Sequence, residues 1–544
     1  MTARQWIAGI TLAVGAACAG AEEQVPDVPL YENLGSHTYA ISTAVPAAQQ
    51  YFDQGLRLYY AFNHAEAIRA FRAAAALDAR CAMCYWGEAA AWGPNINLPM
   101  DSASGAAAYA AIQRAQELAV HASEREQALI EAMAVRYAAD PTAERAPLDS
   151  AYARAMQQVA GAYPEDVEAA TLHAEALMDL SPWDYWEADG SPRPDTDALL
   201  GALERVVAAA PDHPGANHFY IHAVEAVAPE RAVAAAERLA GLMPGAGHLV
   251  HMPGHIYIRV GRYEDAIRAN EHAVHADETY IRDQNPEFGV YTAGYYPHNY
   301  DFLAFAASMI GRKSQAVSAA DKMASLAPRE MLHVPGMTFL QHHMTRNLQM
   351  RVRFADWDEI LASTAPAEDL PHARAMWHYA HGRALAAGGD PDGAEADLAE
   401  VRAVANDPAV SDLRLEFNTS GRVLAIASDV LAGHIAAARS NHDAAVEHLR
   451  AAAALEDALY YGEPPDWSVP VRQDLGAVLL AAGRPAEAQR AFEEDLKRFP
   501  DNGWSLHGLA EALRAQGRGA EADTMMQRFQ QMWRGAEVEL AAAP

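Results

Sequence analysis

Residues 476–500 read Gly476-Ala-Val-Leu-Leu-Ala-Ala-Gly-Arg-Pro-Ala-Glu-Ala-Gln-Arg-Ala-Phe-Glu-Glu-Asp-Leu-Lys-Arg-Phe-Pro500. A small residue opens the stretch, alanine follows twelve positions later at 488, an aromatic four later at Phe492, and proline closes it. Gly483-Arg-Pro breaks the stretch into two helical runs, because glycine and proline end helices at a turn. Gly476 lets two antiparallel helices approach closely, and Ala488 is its counterpart on the second helix. The same template recurs at Gly55, Ala67, Phe71 and Ala74, and at Gly254, Ala266 and Ala273. It returns at Ala304, Ala316, Ala320 and Pro328, at Gly382, Ala394 and Leu398, and at Gly433, Ala445 and Leu449. No alternating strand pattern persists, so the expected fold is all-α.

This template resembles the tetratricopeptide repeat, a helix–turn–helix unit of about 34 residues. The resemblance covers most of residues 48–536 and slips at 123–211. It implies a right-handed superhelix of stacked hairpins whose first helices line a concave groove. The chain is also similar to secreted bacterial repeat proteins that carry strings such as Asn217-His-Phe-Tyr-Ile-His, His251-Met-Pro-Gly-His-Ile-Tyr and Tyr296-Pro-His-Asn. That group brings no activity with it. The expected organisation is a signal peptide at 1–21, an N-terminal extension at 22–47, and repeats with insertions at 48–211. A central histidine-rich array at 212–364 and C-terminal repeats at 365–544 follow. Three insertions interrupt the array, beginning at Trp92, Ser181 and Asp283. Long loops in a solenoid are usually surface decoration; the second and third, aromatic and adjoining polar positions, read equally as decoration or as lids.

With 544 residues the chain exceeds one compact core, a limit that a repeat array escapes because each unit packs only on its neighbours. The formal net charge of -31 excludes a nucleic-acid partner and an anionic membrane surface. Met1 to Ala21 has one basic residue, a short apolar run and the cleavage pattern Ala19-Gly20-Ala21, which predicts a periplasmic or secreted protein with no membrane span. A lipoprotein reading of Cys18 is disfavoured by Gly15 three positions before it. Cys81 and Cys84 form a C-x-x-C pair without the following histidine that covalent haem needs. In an oxidising compartment they are expected to form a disulfide.

Candidate chemistry centres on histidine. His218, His222 and Glu225 lie on adjacent helical turns, and His251 with His255 repeat the i, i+4 spacing. His248 and His298 lie six positions before the small residue of their repeats. His251, Asp301 and His342 lie three before theirs. These offsets fall in one helical sector, the groove-facing stripe. The candidate metal ligands are therefore His218, His222, Glu225, His251, His255, His298, Asp301 and His342. Imidazole with carboxylate suits zinc, iron or copper and is a poor match for calcium. Phosphate-cradling loops, serine elbows and the His-Glu-x-x-His signature are absent. Two functions follow: a metal site in the groove, with enzyme status undetermined, or a scaffold that binds a peptide or protein without metal.

Overall fold

The computed structural model describes residues 28–540. Within that span the chain forms two compact units, one of residues up to 256 with 275–285, the other of 257–274 with 286 onward. The expected signal segment at 1–21 lies outside the described residues.

The first unit is a succession of helix hairpins. Pro46–Tyr60 pairs with His64–Leu77, Ala82–Trp92 with Ser102–Leu118, and Glu124–Ala134 with Arg145–Ala162. Val167–Met178 and Thr196–Ala209 follow, then Pro214–Val224 and Val233–Leu242. Helices thus continue through 123–211, where the sequence template slips. In the second unit Tyr296–Met309 pairs with Lys313–Ser325, Pro371–Ala387 with Pro391–Ala405, and Ser420–Ala438 with His442–Asp457. Val471–Ala481 with Pro485–Arg498 and Gly503–Ala515 with Gly519–Met532 complete it. Among the described residues there is no strand, only isolated bridges in loops. Both units are all-α.

Successive hairpins are registered by a ring held between two glycines. In the first unit a side chain at Gly55 or at Gly87 would overlap the ring of Phe71. In the second, Gly476 and Gly508 flank Phe492 in the same way. One glycine belongs to the ring's own hairpin and the other to the next, so the contact closes a hairpin and stacks it. Close packing leaves no slack for an added methyl. The turn between paired helices needs a left-handed residue seven positions after the small one. Gly261, Gly311, Gly389 and Gly483 fill it with φ between 67° and 85°. Phe62 occupies the equivalent turn at φ 55°.

Cys81 and Cys84 are joined by a disulfide at the start of Ala82–Trp92, fully buried, with Cα atoms 5.4 Å apart. Ser420–Ala438 is long and apolar enough by composition to cross a membrane. Val423, Leu424, Ile426, Val430 and Leu431 instead place it in the core of the second unit. The third insertion is partly helical: a wide π turn at Tyr291–Tyr295 leads into Tyr296–Met309.

Gly508→Ala is expected to lower the thermal unfolding midpoint, since overpacking costs about 1–3 kcal/mol against less than 1 gained from helix propensity. A midpoint at or above that of the parent would contradict the ring-and-glycine register. Glu456 offers a pH test in the same unit. Burial pushes its carboxyl up to about 7, with Arg498 opposing. The unfolded chain sheds that proton near the ordinary carboxylate value, so the stability Glu456 contributes is present at low pH and lost as pH rises towards 7. Glu456→Gln should therefore gain on the parent by roughly 3 kcal/mol between pH 5 and pH 8. Parallel pH profiles of the two unfolding midpoints would disprove it.

Candidate metal centre

Helix Pro214–Val224 is entirely buried, and its polar side chains therefore need partners inside the protein. Pro214 starts it, His213 caps it, and Gly215 lets the Tyr60 ring lie against its backbone. His218 and His222 sit one turn apart on this helix, and Glu225 is its C-cap. The next repeat begins with Gly247–His251, where a side chain at 247 would strike the buried Asp277 carboxylate. Pro253 lacks an N–H and splits the helix at Met252, so His251 and His255 lie on either side of a break, not on one plain helical face.

Six side chains of the first unit close a circuit. His248 Nε2 lies 3.1 Å from His218 Nε2, and the His218 and His222 rings are 4.9 Å apart. His222 Nδ1 is 3.3 Å from Glu225, whose other oxygen is 2.7 Å from His255 Nδ1. His255 Nε2 is 2.9 Å from His251 Nε2, and the His251 ring lies 5.8 Å from that of His248. Ligand atoms of His218, His222 and His248 all fall within 4.8 Å of one another, as do those of His222, Glu225 and His255.

Tautomers follow from the partners. A carbonyl only accepts, so His218 Nδ1–H donates to the Tyr60 carbonyl at 2.8 Å and leaves a lone pair on Nε2. His255 Nδ1 lies 2.7 Å from a Glu225 oxygen, an ion-pair contact, while its Nε2 faces that of His251. Backing one ring nitrogen with a carbonyl or carboxylate while the other faces a cavity is the way proteins orient metal-binding imidazoles. Two nitrogens on one tetrahedral zinc stand about 3.3 Å apart given bonds of 2.0–2.1 Å. The two Nε2 pairs at 3.1 and 2.9 Å are close to that spacing. Burial, with His222 adding to it, holds His218 well below the ordinary imidazole value and so in its neutral, coordinating form.

Aromatic residues cover this circuit. The Phe62 ring packs on His218 at 4.6 Å and stacks on His248 at 5.4 Å. Trp183, from the second insertion, meets His222 edge-on at 4.9 Å. That insertion is anchored by Trp186 Nε1 donating to the Ala223 carbonyl and by Trp183 Nε1 donating to Asn97 of the first insertion. Trp183 has φ 64°, so both covering rings stand on left-handed backbone that bulky residues rarely adopt. Such strain persists where the surroundings over-determine it and concentrates at functional sites.

A further histidine group in this unit is built differently. His37 Nε2 and His213 Nε2 both approach Glu168 Oε1, at 2.5 and 3.3 Å, and Tyr60 donates its hydroxyl to the other oxygen. The Ala216 N–H donates to His213 Nδ1 at 3.1 Å, which spends that ring's lone pair and puts its proton on Nε2. Burial works against the Glu168 carboxylate, yet His213 and His37 hold it well below the usual range. Two imidazoles and a tyrosine hydroxyl thus surround one carboxylate, in a group whose ligand atoms also lie within 4.8 Å of one another. It lines a cleft of about 950 Å³ bordered by Tyr39, Arg125, Asp166, Asp212 and Met243.

The remaining candidates, His298, Asp301 and His342, belong to the second unit. Asp301 is clamped by Arg346 through two contacts of 2.6 Å, one to each oxygen, with both side chains buried. A cation there would compete with the guanidinium, so Asp301 serves as an ion-pair anchor. His342 Nδ1 meets His372 Nε2 at 3.2 Å, and His372 Nδ1 meets the Ser420 hydroxyl at 2.8 Å. Burial pushes His372 down to about 3 and holds His342 well below its ordinary value. This is a linear hydrogen-bonded relay. His343 pairs with Glu416 at 3.0 Å, and burial lowers His298, with Glu416 and Asp301 opposing.

A tetratricopeptide-repeat family model matches residues 479–530. No curated protein matches the chain. Among solved structures, a human IFIT1 dimer with m7Gppp-AAAA aligns at 13% identity over 90% of this chain and 91% of that one, with a TM-score of 0.31. A structure of Naa15/Naa10 bound to HypK-THB aligns at 12% identity over 91% and 71%, with a TM-score of 0.22. At those scores no ligand or partner carries over.

Asp301→Asn should cost about 3–5 kcal/mol, because it strands a buried guanidinium. Urea titration checks this, and a loss below 1 kcal/mol would mean that solvent reaches Arg346. The hairpin template recurs from Gly55 to Pro500, and at residues 479–530 it matches the tetratricopeptide-repeat family.

Proposed function

We propose that this protein binds a transition-metal ion in its first unit, on the Nε2 atoms of His218 and His248 with His222 beside them, and with Glu225 and His255 completing the donor set. The observation that carries the reading is the inward pairing of Nε2 atoms whose Nδ1 sides are held by the Tyr60 carbonyl and by Glu225. An imidazole-rich set with one carboxylate and no thiolate fits zinc, copper or iron. An ion bound there supplies Lewis acidity or one-electron chemistry according to its identity. The protein's own part is to fix the imidazoles, hold His218 neutral and exclude water with Phe62 and Trp183. We also propose export from the cytoplasm. The N-terminal sequence motivates it, and the Cys81–Cys84 disulfide accords with an oxidising compartment.

Metal content of untagged protein, measured by mass spectrometry, tests the site. One to two equivalents of one transition metal are expected in the parent and in His448→Ala, a surface control, with less than a tenth of that in His218→Ala/His248→Ala. Equal, negligible metal in all three leaves a peptide- or protein-binding scaffold as the function. Glu225→Gln should weaken affinity at least 10-fold while the helical signal stays intact, because a neutral amide replaces the one carboxylate of the donor set. Unchanged affinity would remove Glu225 from the site.

A further inference from the structure

Two overlapping sets of donors stand inside the histidine circuit, both within the first unit. One is His218, His222 and His248, the other His222, Glu225 and His255, and in each the ligand atoms lie within 4.8 Å of one another. His222 belongs to both. Sequence spacing puts it there, because His218 lies four positions before it and Glu225 three after, so the three share one helix face with His222 in the middle. Its ring is 4.9 Å from that of His218 and 5.4 Å from that of His255.

An imidazole has two ring nitrogens that point to different sides, so one ring can serve two ions while each nitrogen serves one. His222 Nδ1 lies 3.3 Å from one oxygen of Glu225, and the other oxygen lies 2.7 Å from His255 Nδ1. The first of these distances matches the separation of two donors on one tetrahedral ion, about 3.3 Å. Nδ1 therefore serves the carboxylate side. Nε2 is then the nitrogen for the side of His218 and His248, whose own Nε2 atoms are 3.1 Å apart.

Two divalent ions close together in a buried place repel, and the two sets hold one carboxylate between them, that of Glu225. Loss of the remaining ring proton of His222 adds a second negative charge. The pair of ions then carries no more net charge than one divalent ion on neutral imidazoles.

We propose that the centre holds two divalent first-row ions bridged by His222 as an imidazolate, with Nε2 on the ion of His218 and His248 and Nδ1 on the ion of Glu225 and His255. This rests on the metal-binding reading above and adds a second ion to it. The first ion binds neutral His222 at Nε2, leaves the ring proton on Nδ1 and draws electron density from the ring. The second ion displaces that proton to solvent as its bond to Nδ1 forms, with no change of oxidation state. Loading is ordered, so losing His218 and His248 empties both positions. The imidazole-rich donors suit a pair of copper or zinc ions.

Copper(II) added to the metal-free full chain tests it. Equilibrium dialysis should give two equivalents bound. The low-temperature electron paramagnetic resonance signal should integrate to less than half of that copper, because spins joined through an imidazolate pair antiferromagnetically. His222→Gln and His255→Ala should each keep one equivalent at full signal intensity, with the parent's helical circular dichroism. Where a variant does not fold, the copper count and spin count of the parent decide alone. One equivalent in the parent overturns the proposal and leaves the single-ion reading standing. Two equivalents at full intensity, or a coupled signal in His222→Gln, overturn it too, since the ions would not share that ring. No bound copper overturns both readings.

Discussion

An aromatic ring clasped between two glycines is the contact on which the stacking depends. Phe71 between Gly55 and Gly87, and Phe492 between Gly476 and Gly508, set the distance from one hairpin to the next. Each hairpin alone is a marginal structure, because a lone pair of helices leaves half of its apolar surface wet. Once the spacing is set, residues tens of positions apart in sequence lie side by side. His218 and His248 are brought to 3.1 Å in this way, although neither has any local reason to be near the other. The histidine circuit is a consequence of the stack.

The fold was legible because its signals are local and repeated. Gly55 with Phe71 and Gly476 with Phe492 obey one spacing, and a repeat read several times outweighs any single weak helix. The histidine clustering was legible in part. The i, i+4 spacing pairs His218 with His222 and His251 with His255, and the first unit brings His218 and His222 to His248, and His222 and Glu225 to His255. His248 belongs to the circuit but lay outside the candidate set, although it shares its offset with His298. The break at Pro253 was written in the sequence too, and it changes how His251 and His255 face each other.

What sequence spacing does not carry is the identity of a partner. Asp301 sits on the groove-facing stripe, but whether it meets a metal or a guanidinium depends on Arg346, 45 positions away. His342 likewise has the right offset and finds His372 and Ser420 at the end of it. The His37, Glu168 and His213 group has no repeat spacing at all, because His37 comes from the segment before the first hairpin. Its chemistry turns on one backbone N–H, that of Ala216, which decides the tautomer of His213.

Phe62 holds a further meaning. Four sister turns place glycine at this position and carry no backbone penalty, and one substitution would give the first turn the same ease. A ring kept there lowers the stability of its own hairpin for the sake of neighbours outside it, His218 and His248. A breeder of heat-resistant variants, choosing changes by melting temperature alone, would be drawn to position 62 early and would strip the roof from the imidazoles in doing so. Durability and the buried chemistry pull in opposite directions at that one residue.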